Sequence, residues 1–565
     1  MPGTTSNSTF HLLVRCTLTT ALGVGSTAFA QMPPAAGGSP FDILPQPARQ
    51  QTTPRSRVDL SVEQPESALA RLLASQLTPA RFLISGVKTI PFDLVSARFA
   101  PLVGREITVS QLLQAAEDVT AIYKQRGYPL SFAFVPAQRF DEGVVLVEVV
   151  EGYVAEVKIE GNAGRLEERL RAIVARLLVE RPLTRNTLHH VLGALSQQPG
   201  MRIGIHVAPP TTTDGACVMV LRIERKPVSV GLDIDTPQGH PRALLSASVN
   251  GATPLGEQLS VSVLAPPGPQ NERFFSISYA QPLGSDGLLG RLHGSLYRGE
   301  PDDARLTALG FQSRYLTEIR RAGGSLSYPL SADAQHKLIA SGGFYAAQAT
   351  ERYTRWVFAV PPAVESKSNT RVLTGEFDWQ ATRHQSSQLI SLGIYKGIDG
   401  LGASRQSGDF DLSFWRVRAQ ASQLFVLPKG FGSALSFAGQ YSPDRLPAAE
   451  RISFGGRLFG LGYAPGELAG DKGWGAAVEL NYTFATGLTY LTRLQPYLLI
   501  DHARTYSNFG PLPHHLLSSF ALGVRIADNR YYSLDLSLAK PRGDLPSDSM
   551  SRSPRINVNY SYRFE

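Results

Sequence analysis

A glycine-rich segment with a single arginine is the most unusual part of this sequence. FGGRLFGLGYAPG, residues 454–466, contains five glycines among large apolar side chains, and Arg457 is its one charged residue. Glycine loses much backbone entropy on ordering and marks turns or close approaches of the backbone. We therefore predict a long loop held in place by its surroundings. The candidate site residues in it are Gly455, Gly456, Arg457, Leu461, Gly462 and Tyr463.

Motifs for catalysis and for nucleotide binding are missing from the sequence. It has no G-x-S-x-G nucleophile elbow, no HExxH motif and no G-x-x-x-x-G-K-[ST] phosphate loop. The pair His189–His190 has no further His, Cys or carboxylate at a metal-ligand spacing. We expect a protein that is not an enzyme and that uses no metal or cofactor.

Composition limits the class of protein and its compartment. The net charge is +8, but the basic residues are scattered without a dense run, which argues against a nucleic-acid partner. No stretch of eighteen apolar residues predicts a transmembrane helix. Residues 1–30 are typical of an export signal, with Arg15, a short apolar core and a small-residue cleavage site at 28–30. Removal of Cys16 with this signal leaves Cys217 alone, so no intramolecular disulfide forms.

The exported chain begins with a linker and two similar modules. Residues 31–78 are rich in proline and glutamine, and their part 61–77 is either disordered or a short helix that plugs a pore. Residues 79–153 and 154–226 each predict a β-α-α-β-β module, large enough for an independent domain. In the first module, Thr108 and Gln111 form a capping-box pattern at the start of a helix.

After Pro227 the hydrophobic period becomes two. In VELNYTF, for example, Val478 and Leu480 lie on one face, and Glu479 and Asn481 lie on the other. A soluble β-sandwich and an outer-membrane barrel both produce this alternation, and a secreted β-solenoid would show a fixed short repeat that is missing here. The length favours a barrel, because roughly 20 residues per strand and connection give about 16 strands.

We therefore predict a mostly β protein with α+β modules, whose residues 227–565 form a 16-stranded antiparallel transmembrane β-barrel. A barrel of this size has a wide interior that remains an aqueous channel unless something fills it. The segment 442–473 is long for a hairpin connection, and loops of such length tend to be functional. We expect it to fold back into the lumen as a plug.

This order of elements resembles the outer-membrane transporters of two-partner secretion, which export haemolysins and filamentous-haemagglutinin-like adhesins. The two modules resemble POTRA domains through Tyr123, Gly127, Tyr128, Gly152 and Gly161. The resemblance implies POTRA domains in the periplasm, a barrel in the outer membrane of a Gram-negative cell, and transport of a large exported protein. Its implied partners include outer-membrane lipid, periplasmic chaperones and the barrel-assembly machinery. An assembly insertase of the same superfamily and a passive porin are the alternatives.

One departure from the family concerns the loop tip. The family usually has Val-Arg-Gly-Tyr there, where this chain has Gly460-Leu461-Gly462-Tyr463. The family pairs that arginine with an aspartate of the barrel wall, which corresponds to Asp501. A buried carboxylate without a partner is costly. We hypothesise that Arg457 reaches Asp501 instead, and the alternative is that Asp501 faces lumenal water.

Overall fold

The computed structural model describes most of the chain beyond residue 72. The described residues are 18–22, 73–139, 141–207, 214–236, 241–265, 267, 271–300, 312–333, 335–356, 363–457, 459–508, 516–528 and 530–564. The segment 61–77 lies largely outside them, as do most residues of the predicted signal and linker. Within the predicted signal, Leu18–Leu22 forms a strand, β1.

The first module has the predicted β-α-α-β-β order. Its elements are β2 (Gln76–Leu77), β3 (Arg81–Ser85), α1 (Phe92–Phe99), β4 (Ile107–Thr108), α2 (Val109–Gln125), β5 (Phe132–Phe134) and β6 (Val144–Val150). Strand β6 is central, parallel to β3 and antiparallel to β5. The side chain of Thr108 accepts from the backbone N–H of Gln111 in a complete capping box, as expected. Leu112, Val119 and Tyr123 of α2 are buried against the sheet.

The second module repeats this plan with two helices of similar length. Its elements are β7 (Tyr153–Gly161), α3 (Glu167–Val179), α4 (Arg185–Ser196), β8 (Met201–Val207) and β9 (Ala216–Arg225). The sheet order is β1-β8-β9-β7, so β1 lies against the outer edge of β8. The apolar stripes predicted from the sequence, including Leu170 and Leu177 of α3 and Leu188 of α4, form the core.

The remaining strands form a closed antiparallel barrel. They are β10 (Val228–Asp235), β11 (Arg242–Asn250), β12 (Gln258–Leu264), β13 (Arg273–Leu283), β14 (Leu288–Gly299), β15 (Gln312–Ala332), β16 (His336–Trp356), β17 (Ala363–Arg383), β18 (Ser386–Gly397), β19 (Ser404–Gln406), β20 (Trp415–Val426), β21 (Phe431–Tyr441), β24 (Lys472–Tyr482), β25 (Phe484–Ala485), β26 (Arg493–Tyr506), β27 (Leu516–Ala527), β28 (Tyr532–Pro541) and β29 (Arg555–Phe564). The segments β19 and β25 are short additions, so the barrel has 16 full strands. Strand β10 pairs with β29, from Val230 opposite Phe564 to Asp235 opposite Asn559, and closes the sheet.

The barrel is apolar outside and polar inside. On β24, Val478 is 53% exposed whereas the neighbouring Glu479 is 6% exposed, and on β26 Ile500 and Asp501 show the same contrast. This arrangement suits a wall that faces lipid and encloses a polar lumen. Among the described residues, no helix is long and apolar enough to cross a membrane.

The second module contacts one end of the barrel. Helix α4 packs on the end of β15, where an added Cβ at Gly193 would lie 3.1 Å from Pro329. The guanidinium of Arg169 donates to the carbonyl of Gly284 at 2.6 Å, and Lys337 Nζ donates to the carbonyl of Ser196 at 3.5 Å. The turns between β13 and β14 and between β15 and β16 are therefore on the side of the N-terminal modules.

Candidate functional site: a loop anchored inside the barrel

The connection between β21 and β24 folds into the barrel, as predicted. It contains a short hairpin, β22 (Ile452–Phe454) and β23 (Leu468–Gly470). The rings of Phe454 and Phe459 meet edge to face at 5.7 Å, and both are buried against the wall at Gly475. A larger residue at 475 would collide with these rings, since an added Cβ would lie 2.9 Å from each. The loop is therefore packed as a plug.

The glycines of the loop allow a tight turn and a close approach to the wall. Gly455 and Gly456 have φ values of +120° and +81°, a region that favours glycine. An added Cβ at Gly462 would lie 2.7 Å from the backbone nitrogen of Pro541 in β28. The loop tip thus approaches the barrel wall more closely than any side chain at 462 would permit.

Asp501 holds the loop tip through backbone hydrogen bonds. Its Oδ2 accepts from the N–H of Leu461 at 3.0 Å, and the side chain is 1% exposed. On the neighbouring strand, Ser519 Oγ accepts from the N–H of Gly462 at 3.0 Å. The alternative that Asp501 faces lumenal water is therefore wrong.

The hypothesis that Arg457 pairs with Asp501 is also wrong. Arg457 interacts electrostatically with Asp233 of β10, one of the two strands whose pairing closes the barrel. Asp233 also accepts from Ser561 Oγ of β29 at 2.6 Å. The physical reason is that the turn at the glycines aims the loop backbone at Asp501, so the N–H of Leu461 binds Oδ2 and the guanidinium lies elsewhere. The other oxygen, Oδ1, is buried without a hydrogen-bond partner among the described residues.

Tyr463 extends the anchor of the loop tip to the connection after β28. Its hydroxyl donates to the carbonyl of Asp544 at 3.0 Å and accepts from the N–H of Gly543 at 2.9 Å. The carboxylate of Glu467 accepts from the backbone N–H of Ser547 at 2.6 Å and from its hydroxyl at 2.9 Å. The tip is therefore bound to the wall over β26–β29 and the connection between β28 and β29.

A second anchor, at Glu450, was not found from the sequence. This residue lies in a short 3-10 turn, Ala448–Glu450, just before the hairpin, and its side chain is fully buried. Its carboxylate accepts from the hydroxyl of Tyr345 at 2.7 Å and lies 3.0 Å from Arg416 and 3.4 Å from Arg321. The sequence offered one signal for this anchor, because Glu450 is a carboxylate shortly before the apolar, glycine-rich segment 454–466.

The two anchors attach the loop to different arcs of the wall. Glu450 binds side chains of β15, β16 and β20, whereas Leu461 and Gly462 bind β26 and β27. A buried ion pair does not by itself stabilise a protein, but loss of one partner leaves a costly unpaired charge. The loop is therefore fixed across the lumen at both its start and its tip.

Four of the five module residues singled out from the sequence, Tyr123, Gly127, Tyr128 and Gly152, lie at the joint between the two modules. The hydroxyl of Tyr123 donates to Glu151 at 2.9 Å, and the ring of Tyr128 packs 6.2 Å from that of Tyr123. The carbonyl of Gly127 accepts from the N–H of Arg185 at 2.7 Å, and that of Gly152 accepts from Leu183 at 3.0 Å. Gly161 ends β7 with a φ of +98°.

Glu151 is the electrostatic centre of that joint. It accepts hydrogen bonds from the backbone N–H groups of Lys88 and Thr89, at 2.9 and 2.7 Å, and from the Thr89 hydroxyl at 2.5 Å. Burial alone would raise the pKa of the Glu151 carboxyl, but these hydrogen bonds outweigh it and lower the pKa.

The described residues contain no cluster of His, Cys, Asp and Glu that could hold a metal ion.

Fold and loop together define a barrel protein of the outer membrane with POTRA domains at its N-terminus. Residues 77–152 match the family model of the POTRA domain, ShlB-type, and residues 223–526 match that of the haemolysin secretion/activation protein ShlB/FhaC/HecB. The second match covers more than half of the chain. The chain belongs to this family of outer-membrane transporters for two-partner secretion, with its POTRA domains in the periplasm.

Curated relatives are similar over most of their length. The chain is 20% identical to the heme/hemopexin transporter protein HuxB of Haemophilus influenzae, over 82% of this chain and 83% of that protein. It is 23% identical to the hemolysin transporter protein ShlB of Serratia marcescens, over 81% of each chain. Among solved structures, CdiB from Escherichia coli has the same fold, with a TM-score of 0.64 at 17% identity, covering 90% of this chain and 94% of that one.

Proposed function

We propose that this protein captures one large, unfolded partner of the haemolysin or adhesin type and conducts it through the barrel without chemistry on the cargo. The observation that carries this proposal is the lumenal loop fixed at both Glu450 and Asp501. A bore filled by a loop with two separate anchors suits a gated conduit, since a passive porin has no use for such a plug. The names of ShlB and HuxB, which refer to haemolysin and to heme/hemopexin, support an exported protein as cargo.

Capture begins at the outer edge of β8 in the second POTRA domain. Strand β1 covers this edge, with five residue pairs from Leu18 opposite Val207 to Leu22 opposite Ile203. Because β1 lies in the predicted signal, its removal on export exposes the edge. An open edge binds an extended peptide by main-chain hydrogen bonds, and neighbouring side chains provide specificity.

Net movement of the cargo comes from its folding outside the cell, since the sequence has no phosphate-binding loop for nucleotide hydrolysis. The apolar outer wall contacts outer-membrane lipid. Periplasmic chaperones and the barrel-assembly machinery deliver and insert the barrel itself.

Immobilising the loop tests the conduit. Glu467 of the loop accepts a hydrogen bond from Ser547 in the connection between β28 and β29. Cysteines placed at 467 and 547 can therefore be bridged by a short bis-maleimide. The reaction is selective because the native Cys217 is buried. The bridged Glu467→Cys/Ser547→Cys variant should lose secretion of its partner, while each single variant treated identically keeps it. Normal secretion by the bridged protein would reject the gated conduit.

A photo-crosslinking residue at His206 tests the capture edge. We expect crosslinks to the unfolded partner at this position, which lies near the end of β8 and opposite Thr19 of β1. The matched control is Arg171, on the exposed face of α3, where we expect none. Equal crosslinking at both positions would argue against capture at β8.

A further inference from the structure

A depression of about 440 Å³ opens on the outer wall of the barrel, over β13–β17. Its floor consists of three small residues in register, because Gly294 lies opposite Ala322 and Ala322 lies opposite Ala346. Larger outward side chains flank them on adjacent strands and rows. Three small neighbours in a wall of large side chains produce a notch on the lipid side.

The rim of the notch is apolar at one end and basic at the other. Phe275, Ile277 and Leu296 form the apolar end, each between 40% and 49% exposed. Arg320 and Arg371 form the basic end, with Gln348 and Asn369 between them. Leu296 lies directly opposite Arg320, which lies opposite Gln348, so the change from apolar to basic occurs within one row of the sheet.

The notch lies at the outer boundary of the membrane. Helix α4 contacts β15 at Pro329, which places that end of the strand on the periplasmic side. Arg320 precedes the lipid-facing Leu330 by ten residues, and at about 3.3 Å per residue this is roughly 33 Å along the strand. A strand tilt of about 40° reduces this to roughly 25 Å along the membrane normal, the height of the apolar band.

The two arginines bring positive charge to this boundary. Arg371 donates from Nε to the carbonyl of Leu401 at 3.0 Å and from Nη1 to that of Thr370 at 2.9 Å, which holds its guanidinium at the rim. Within the described part of the chain, neither Arg320 nor Arg371 has a carboxylate partner. By contrast, Arg298 lies one row further out and pairs with Glu318 at 3.2 Å.

We propose that the notch binds a phosphorylated glycolipid of the outer leaflet, of the lipopolysaccharide class. An acyl chain lies on the small floor beside Ile277 and Leu296, and a headgroup phosphate lies between Arg320 and Arg371. Guanidinium groups bind phosphate through paired, charge-assisted hydrogen bonds, and basic pockets beside membrane-spanning segments are typical headgroup sites. The site is separate from the lumenal loop and concerns the lipid that surrounds the transporter.

Thermal unfolding of the purified full-length protein in detergent tests this site. A ligand that binds only the folded state raises Tm, so we expect purified lipopolysaccharide to raise Tm by several degrees. The Arg320→Gln/Arg371→Gln variant should lose most of that rise, and the Arg298→Gln control should keep it. An equal rise in the double variant would overturn the proposal.

Three further measurements distinguish the possible causes of the rise in Tm. Lipopolysaccharide stripped of its phosphates and inorganic phosphate alone should each give no comparable rise, and a full rise with either would overturn the proposal. Ala322→Leu fills the notch without changing charge and should also abolish the rise. Heat-dependent electrophoretic mobility verifies that the Ala322→Leu barrel is folded. If this folded variant keeps the full rise in Tm, the lipid binds elsewhere and the proposal is overturned.

Discussion

The carboxylate of Glu450 lies 3.0 Å from the guanidinium of Arg416, and both side chains are fully buried inside the barrel. This contact joins the start of the lumenal loop to β20, and Tyr345 and Arg321 extend it to β16 and β15. Two cations share one carboxylate in a site without solvent. The position of the start of the loop therefore depends on a single acidic residue.

Removing the charge of Glu450 should release the start of the loop. In Glu450→Gln, Arg416 and Arg321 lose their shared carboxylate, and breaking a buried pair in this way costs about 3–5 kcal/mol. We expect a lower Tm and a higher single-channel conductance in planar bilayers. Glu365→Gln is the control, because its partner Arg352 is half-exposed and solvent screens such a surface pair, which therefore contributes little. Unchanged conductance in Glu450→Gln would show that the loop does not depend on this anchor.

Charge exchanges distinguish the two aspartates near the loop. Arg457→Asp combined with Asp501→Arg should not restore secretion, because the exchange removes the acceptor for the N–H of Leu461. Arg457→Asp combined with Asp233→Arg should restore part of it, since the exchange keeps opposite charges within electrostatic range of each other. The measurement is secreted partner relative to each single variant. Rescue by the Asp501 exchange alone would contradict the structure.

A methyl group at Gly462 should displace the loop tip. In Gly462→Ala the new Cβ would lie 2.7 Å from the nitrogen of Pro541, and overpacking of this kind costs about 1–3 kcal/mol. We expect faster hydrogen exchange at the amides of Leu461 and residue 462. Gly375→Ala is the matched control, because an added Cβ there has no atom within 4 Å. Equal exchange in both variants would mean that contact with the wall does not position the tip.

Glu151 should make the first POTRA domain sensitive to acid. Its pKa is lowered in the folded state, so its stabilising contribution is fully present above the unfolded value of about 4.5 and is lost as the pH falls below it. Glu151→Gln should increase hydrogen exchange at the amides of Lys88 and Thr89 at pH 7, and the difference from the original protein should shrink toward pH 3. A difference independent of pH would point to packing instead. Tyr123→Phe, which removes one of the hydrogen bonds, should have a smaller effect of about 1 kcal/mol.

The sequence by itself determined the architecture, because hydrophobic period is a local property. Alternation such as Val478-Glu479-Leu480-Asn481 specifies which face of a strand meets lipid, and the stripes of α3 and α4 specify helices packed on a sheet. The dense glycines around Gly455 and Gly462 indicated a loop that approaches other backbone closely. The resemblance to two-partner secretion transporters, carried by residues such as Tyr123 and Gly161, gave the function.

Only the tertiary structure decided which charges meet. Glu450 and Arg321 are far apart in the sequence. They meet inside the barrel because the sheet closes and the loop after β21 folds back into the lumen. The same geometry gave Asp501 a backbone donor and brought Arg457 within electrostatic range of Asp233, so the predicted pair was wrong. Electrostatic partners depend on distances of a few ångströms in three dimensions. Spacing along a strand or a glycine-rich loop does not contain those distances.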